Sequence, residues 1–246
     1  MKKIFIVLCL LFSPVLHAED WITEEVLKQL SEVRQELKSL KEEVRGLKSQ
    51  LSQKPPVQAK QAKLAAISLE GSPILGSDKA KIGIIEFSDY QCPYCKRHYK
   101  QTFPEIDKNY IETGKVKYVM KQFPLGFHAK AKGASIAALC MENIKPGAYW
   151  DAHKSIFDGD TKLNNVSYKA LAKSLNVDLG KFQSCLDDPK TSEIIDEDMA
   201  AATAAGVTGT PAFIVGEIVG GKLVNGRLVT GARPYNSFSQ VLNELL

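Results

Sequence analysis

The feature that most constrains the fold is a pair of cysteines, Cys92 and Cys95, separated by Pro93 and Tyr94. The apolar run 82–87 precedes the pair and a helical pattern follows it. Two intervening residues bring the sulfurs within bonding distance when the first cysteine precedes a helix and the second lies in its first turn. Pro93 suits the first helical position, because the amide that it lacks has no partner there. The spacing therefore predicts a dithiol at a strand-to-helix junction.

The amino terminus has the pattern of an export signal. Two lysines follow Met1, an apolar run occupies residues 4–16, and Ala18 precedes an acidic pair. This pattern predicts a signal peptide over residues 1–18. The apolar run is too short to span a bilayer comfortably. We therefore expect a periplasmic or otherwise exported protein, in a compartment where disulfides persist.

Charge and histidine placement narrow the function classes. Without Lys2 and Lys3 the formal charge falls from +4 to about +2, which is too close to neutral to indicate nucleic-acid binding. The chain has no second CxxC, and His98, His128 and His153 are scattered. We expect no metal site and no cofactor. We expect His98 on a solvated helix surface and the other two histidines to be structural or exposed.

A heptad repeat runs through residues 19–51. The apolar positions alternate spacings of four and three, which predicts a coiled coil; they are Val26, Leu30, Val33, Leu37, Leu40, Val44, Leu47 and Leu51. Glu36 and Glu43 fall at g positions and Lys41 and Lys48 at e positions, which favours a parallel partner. We expect self-association through residues 26–51, as a dimer first and a trimer second. The alternative, a helix packed on its own domain, usually shows a wider stripe.

The rest of the chain predicts an α/β domain. Residues 52–63, with Pro55 and Pro56, have neither period and form the predicted linker. A βαβ unit follows in the domain 64–246, with strands at 67–69, 82–87 and 116–123 and a helix at 94–110 interrupted near Pro104.

A helical block then interrupts the strands. Residues 128–205 are predicted to be helical, with Ser167 and Asp178 as N-caps and Gly206 as a stop. Strands return at 212–215, 220–224 and 227–230, with Asn225 and Gly226 as a hairpin turn, and a helix closes the chain at 234–246.

Three motifs resemble those of DsbA-type thiol-disulfide oxidoreductases. They are Glu86-Phe87-Ser88-Asp89-Tyr90-Gln91-Cys92-Pro93-Tyr94-Cys95, Phe123-Pro124-Leu125 and Gly209-Thr210-Pro211-Ala212. The resemblance covers residues 64–246 and implies a thioredoxin fold with an inserted all-helical domain, here preceded by a coiled-coil helix. The coil combined with a redox domain resembles the self-associating DsbC and DsbG isomerases and oligomeric DsbA-like proteins.

The dithiol and Glu86 are the predicted catalytic residues. Cys92, at the positive end of a helix, is the predicted nucleophile, and Cys95 is the resolving thiol of a redox-active disulfide. An inert structural disulfide is the weaker alternative, because a two-residue loop gains little from cross-linking. Glu86 matches the buried acidic position of thioredoxin-like proteins, which implies that it accepts or relays the Cys95 proton. The alternative is a solvated carboxylate at a strand end.

The resemblance also implies a substrate-binding loop and a redox range. Thr210-Pro211 resembles the cis-proline loop that faces the dithiol and binds an extended substrate. Thr210 resembles the DsbC residue at this position, and Tyr94 replaces the histidine of strongly oxidising members. Because tyrosine lacks the charge that stabilises a neighbouring thiolate, we expect a less oxidising dithiol.

Cys140 and Cys185 both lie on apolar faces within the predicted helical block. In an oxidising compartment we expect them to form a structural disulfide, with a stabilising contribution of about 3 to 4 kcal/mol from chain entropy. The alternative is a pair of free buried thiols.

These residues predict an exported thiol-disulfide oxidoreductase that forms or isomerises disulfides in secreted proteins, or does both. Its recycling partner would be a DsbB-like membrane protein for oxidation or a DsbD-like reductant for isomerisation. Two alternatives remain open: a copper-binding thiol protein, with Cys92 and Cys95 as soft ligands, and a coiled-coil scaffold with a non-catalytic redox domain.

Overall fold

The computed structural model describes residues 16–53 and 64–246, with side-chain environments for 24–46 and 64–246. The predicted signal peptide lies almost entirely, and the predicted linker largely, outside the described residues. The chain divides into two units, Met1–Lys60 and Gln61–Leu246, which are described separately.

The first unit contains one long helix, α1, at Leu16–Gln53. Its predicted heptad seam is exposed, with relative exposures from 48% at Val26 to 61% at Leu37. The side chains of Leu47 and Leu51 lie outside the described residues. In residues 16–53 and 64–246, no helix combines the length and apolar character needed to cross a membrane.

The second unit is built on a mixed six-stranded sheet with the order β1-β6-β5-β3-β4-β2. Only β3 and β4 pair in parallel, and the other neighbours are antiparallel. The strands are β1 (Ile67–Ser68), β2 (Ile74–Leu75), β3 (Ile82–Ser88), β4 (Val116–Gln122), β5 (Ala212–Val219) and β6 (Lys222–Thr230).

The helices follow the predicted pattern of one crossover, one inserted block and one closing helix. The crossover from β3 to β4 contains α2 (Pro93–Gln101), α3 (Phe103–Ile106) and a π-helical segment (Asp107–Ile111). The inserted block and the closing helix comprise α4 (Ala131–Ile144), α5 (Ala148–Asp158), α6 (Asn165–Ser174), α7 (Leu179–Asp187), α8 (Pro189–Ala204) and α9 (Tyr235–Leu245).

The central strand β3 is buried on both faces, as expected for a strand covered by helices on each side. Alternate residues enter two different cores, because side chains alternate across a strand. Ile84, Tyr118 and Phe213 pack with the crossover and inserted helices, while Ile85 and Val119 pack in a smaller core on the opposite face. The predicted fold class, a thioredoxin fold with a helical insertion, is thus confirmed.

The predicted hairpin turn at Asn225 and Gly226 is wrong. The chain turns at Gly220 and Gly221, which both have positive φ angles, of 57° and 73°. Asn225 and Gly226 lie within β6, opposite an irregularity between Val215 and Glu217 of β5. A Cβ atom at position 226 would collide with Ile214, so glycine allows this close strand approach.

Two local expectations in the helical block differ in outcome. Asp178 caps α7, with its carboxylate accepting a hydrogen bond from the amide of Lys181 at 2.8 Å. Ser167 does not cap a helix. Its amide donates to the side chain of Asn164, which is the N-cap of α6. Because the side chain of Asn164 accepts the Ser167 amide, Asn164 is the N-cap and the helix begins three residues earlier than predicted.

Candidate active site

The dithiol lies where β3 ends and α2 begins. Cys92 is the N-cap of α2 and Pro93 opens the helix. Cys95 is fully buried and Cys92 nearly so, and both are free thiols. The first-turn amides of α2 therefore surround the sulfur of Cys92, as the spacing predicts.

The loop that contains Thr210 faces the dithiol. The sulfur of Cys92 lies 3.4 Å from the carbonyl oxygen of Thr210, to which it can donate only in its thiol form, and the Thr210–Pro211 peptide bond is cis. The hydroxyl of Thr210 is buried and makes no direct hydrogen bond among the described residues. The structure thus brings together two segments that are more than a hundred residues apart in sequence.

The two thiols differ in acidity. The pKa of Cys92 is lowered to about 5, first because the Cys95 thiol donates to its sulfur and further because the Thr210 hydroxyl and the amides of Tyr94 and Cys95 face it; burial opposes this effect. The pKa of Cys95 is raised, first by burial and then because the Cys95 proton is held in a hydrogen bond to the Cys92 sulfur. At neutral pH the site therefore holds a Cys92 thiolate beside a Cys95 thiol, which suits nucleophilic attack by Cys92.

Glu86 is a buried residue of β3, six positions before Cys92 in the sequence. Burial raises its pKa to about 7, although the hydrogen bond from the Tyr118 hydroxyl and the nearby Ser88 hydroxyl oppose the rise. The Tyr118 hydroxyl donates to Glu86 Oε2 at 2.5 Å. The negative charge of Glu86 in turn contributes to the raised pKa of Cys95. A carboxyl that titrates near neutrality beside a buried thiol is suited to exchange a proton with it.

We predict that Glu86→Gln stabilises the folded protein above pH 7. The unfolded carboxyl loses its proton near 4.5 and the folded one near 7, so the wild type loses stability as pH rises through this interval. The gain in the free energy of unfolding at pH 8 should reach at most about 3 kcal/mol and vanish below pH 4.5. Urea unfolding across this pH range measures it.

The matched control is Glu217→Gln, which removes an exposed carboxyl from β5. A Glu86→Gln variant whose stability followed the wild-type pH profile would show that Glu86 is not held protonated by burial.

Asp89 belongs to the site, although the sequence analysis quoted it only as part of a motif and gave it no role. Its buried carboxylate accepts hydrogen bonds from the amides of Gln91, Cys92 and Leu125, at 2.6, 3.1 and 2.7 Å. His128 Nδ1 lies 2.8 Å from its second oxygen. Asp89 therefore joins the dithiol loop to the segment that begins at Phe123. An aspartate three residues before Cys92 was a usable signal, because such side chains often accept nearby amides.

The expectation that His98 lies on a solvated surface is wrong. Its ring is fully buried against Phe213 and Phe238, and Nε2 lies 3.0 Å from the Tyr118 hydroxyl. The residue lies three positions after Cys95 and so shares its buried helix face. His153 is also buried, with Nδ1 3.2 Å from the Tyr90 hydroxyl, and belongs to the structural class that was expected.

Tyr94 lies between the two cysteines of the dithiol in the sequence. Tyr94 is 55% exposed, and the guanidinium carbon of Arg97 lies 4.9 Å from its ring centroid.

Cys140 and Cys185 form a disulfide between α4 and α7, with their Cα atoms 5.7 Å apart. This disulfide ties together two helices of the inserted block.

Comparison with known proteins places this geometry in a family. The thioredoxin family profile matches residues 68–244, which is most of the chain. The chain belongs to the thioredoxin family. Disulfide bond formation protein D of Bacillus subtilis is 31% identical over 148 residues, which cover 59% of this chain and 64% of that protein. The chain therefore spans less than two thirds of that relative's length.

Solved structures show the same fold. Oxidised BdbD from Bacillus subtilis has a TM-score of 0.64 at 24% identity, covering 75% of this chain and 97% of that one. Wolbachia pipientis alpha-DsbA1 has a TM-score of 0.60 at 26% identity, covering 73% and 92%. The predicted DsbA-type relationship is thereby confirmed.

Proposed function

We propose that the chain is an exported thiol-disulfide oxidoreductase that forms or isomerises disulfides in secreted proteins. The observation that carries the proposal is the Cys92 sulfur at the start of α2, facing the carbonyl of Thr210, with its pKa lowered to about 5. In this role Cys92 and Cys95 are catalytic, Glu86 exchanges a proton with Cys95, and Thr210 and Pro211 bind substrate. The relatives' names favour this function over the copper-binding and scaffold alternatives.

The reaction follows from the two thiol acidities. In the oxidising direction, a substrate thiolate attacks Cys92 of the Cys92–Cys95 disulfide, and Cys95 leaves and is protonated. A second substrate thiolate then attacks the mixed disulfide, which releases oxidised substrate and the Cys92 thiolate. In isomerisation, the Cys92 thiolate attacks a wrong substrate disulfide, and Cys95 resolves adducts that stall. A DsbB-like or a DsbD-like membrane protein would recycle the dithiol in the respective direction.

We further propose that α1 holds two or three copies together. Its apolar seam from Val26 to Val44 is about half exposed, and exposure of this extent along one helix face favours a partner helix. We retain residues 1–18 as the signal peptide, 19–51 as the coil, 52–63 as the linker and 64–246 as the redox domain with its insertion at 128–205. Parallel association would hold several dithiols around one substrate, which suits isomerisation.

The test compares the chain from residue 19 with a shorter form that begins at Leu64. Dithiol oxidation and refolding of a scrambled disulfide substrate are assayed side by side, with molar mass from light scattering. We expect both forms to oxidise dithiols, and the shorter form to be monomeric and to lose most of its refolding activity. Equal refolding by both forms would contradict the role of the coil. Inactivity of both in oxidation and refolding would contradict the redox function.

A further inference from the structure

A buried chain of hydrogen bonds leads away from the dithiol. The Tyr118 hydroxyl has one proton, which it donates to Glu86 Oε2 at 2.5 Å. Its second neighbour, His98 Nε2 at 3.0 Å, must therefore be the donor to the hydroxyl oxygen. While Glu86 is ionised, this arrangement leaves Nδ1 of His98 as the unprotonated ring nitrogen; when Glu86 is protonated it donates to Tyr118, Tyr118 donates to Nε2, and Nδ1 carries the ring proton. All three side chains are nearly or fully buried.

The last residue of this chain, His98, also lines a surface cavity. His98 Nδ1 is buried without a hydrogen-bond partner among the described residues, although a buried polar atom normally has one. His98 lines a cavity of about 190 Å³ between α2 and the loop before α9; the other lining residues are Arg97, Gln101, Thr102, Ala232, Arg233 and Pro234. A cavity of this size and polarity has room for several water molecules.

We propose that Tyr118 and His98 form a proton relay between Glu86 and this cavity. The relay deepens the proposed redox function and rests on it. It lets the proton that Cys95 gains or loses reach solvent through the C-terminal half of α2, while a substrate is bound over Cys92 at the other end of the helix. Glu86 exchanges a proton with Cys95 directly, whereas Tyr118 and His98 act only through Glu86.

The proton and electron movements balance in each direction. When Cys95 resolves a mixed disulfide, its sulfur bonds to Cys92, the bond from Cys92 to the substrate sulfur breaks, and the substrate leaves as a thiolate. Cys95 is oxidised, the substrate sulfur is reduced, and the Cys95 proton goes to Glu86. This step starts with Glu86 protonated, Tyr118 donating to Nε2 and the ring proton of His98 on Nδ1: as the Cys95 proton arrives, Glu86 passes its own proton to Tyr118, Tyr118 passes one to Nε2, and Nδ1 releases one to water.

The opposite half-reaction restores the relay. When a substrate thiolate opens the Cys92–Cys95 disulfide, Cys95 leaves as a thiolate and takes the proton of Glu86. Water then protonates His98 Nδ1, Nε2 gives its proton to Tyr118, and Tyr118 reprotonates Glu86. Because a full redox cycle moves one proton each way, neither the His98 ring nor the Tyr118 hydroxyl has to rotate between turnovers.

Burial keeps the His98 ring neutral between transfers. Its Nε2 lies 3.0 Å from the Tyr118 hydroxyl of β4 and 4.0 Å from Glu86 Oε2 of β3, the charge of His153 on α5 acts on it, and Arg97 and Arg233 line the cavity. Burial, and to a smaller extent the charge of His153, lowers the pKa of His98 to about 3. A neutral imidazole with one donor and one acceptor nitrogen passes a proton without trapping it as a cation.

The test uses reduced protein and excess oxidised glutathione, followed by acid quench and mass spectrometry. A first phase, attack by Cys92, depends on glutathione concentration; a second phase, attack by Cys95, does not. His98→Gln keeps a donor to Tyr118 but cannot relay a proton, and Tyr118→Phe removes only the hydroxyl. We expect both to slow the second phase about tenfold or more at pH 7 and to leave the first unchanged.

The controls are two equally buried side chains outside the relay. His153→Gln and Tyr149→Phe alter the separate network around Tyr90 and should leave both phases at the wild-type rate. His98→Ala with added imidazole should recover the second phase. Near-ultraviolet circular dichroism checks that each variant is folded.

The outcomes separate the relay from the redox function. A wild type that exchanges normally, with His98→Gln and Tyr118→Phe variants that match it in both phases, would overturn the relay alone. Equal slowing in the two control variants, or a slow His98→Ala that imidazole does not rescue, would assign His98 a structural role only. A wild type that forms no mixed disulfide would overturn the redox function and the relay with it.

Discussion

Cys92→Ser is expected to abolish dithiol-disulfide exchange, leaving only the uncatalysed background rate. Cys92 is the thiol whose pKa is lowered to about 5 and whose sulfur faces the Thr210 loop, while the pKa of Cys95 is raised. A serine hydroxyl stays protonated at neutral pH and cannot attack a disulfide. Cys95→Ser should instead accumulate a mixed disulfide through Cys92, because the resolving thiol is gone. Mass spectrometry after incubation with oxidised glutathione distinguishes these two products.

The matched control is the double variant Cys140→Ser and Cys185→Ser. It removes two sulfurs of the same domain that lie in the disulfide between α4 and α7. We expect it to retain exchange activity and to lose about 3 kcal/mol of unfolding free energy. Exchange that survived Cys92→Ser, or that depended on Cys140 and Cys185, would locate the reactive thiol elsewhere.

The second large effect is expected at Asp89. Asp89→Ala removes a carboxylate that accepts three backbone amides and lies 2.8 Å from His128 Nδ1. The amides of Gln91, Cys92 and Leu125 would then be left without this acceptor in a buried site. We expect a loss of about 3 to 5 kcal/mol of unfolding free energy, as found when one partner of a buried charged network is removed. Urea unfolding of the oxidised protein measures it.

Asp78→Ala is the control for Asp89. Its carboxylate pairs with Lys117 but is fully exposed. Its loss should change the unfolding free energy by no more than about 0.5 kcal/mol. Equal urea midpoints for the two variants would show that the Asp89 network does not hold the dithiol loop in place.

Much of the domain could be predicted because its signals are local. The apolar run before Cys92 and the change from strand to helix period each lie within a short window of sequence. The disulfide between Cys140 and Cys185 was predictable because the predicted export signal implies an oxidising compartment, in which two further cysteines are expected to pair. The glycine turn at residues 220 and 221 was missed because Asn225 and Gly226 offered an equally strong local signal, and only the close packing on Ile214 decides between them.

The parts of the site that were missed depend on distant residues. His98 lies in a strongly polar stretch of α2, and its burial follows from Tyr118 on β4 and Phe238 on α9. Likewise the buried Lys121 amine, 2.6 Å from Asp198, pairs residues of β4 and α8 that nothing in the sequence links. Such pairs form only when the inserted helices pack on the sheet, so no local pattern reveals them.

The reduction potential of the Cys92–Cys95 pair tests the central claim most directly. The pKa of about 5 at Cys92 lies between values near 7 for thioredoxin and near 3.5 for DsbA, and Tyr94 brings no charge to the site. Equilibration with glutathione or dithiothreitol buffers, with thiol trapping and mass spectrometry, should give a reversible two-electron couple between about −270 and −120 mV. A pair that did not cycle reversibly would contradict the redox function, and a potential at or above about −120 mV would contradict the assignment of a less oxidising dithiol.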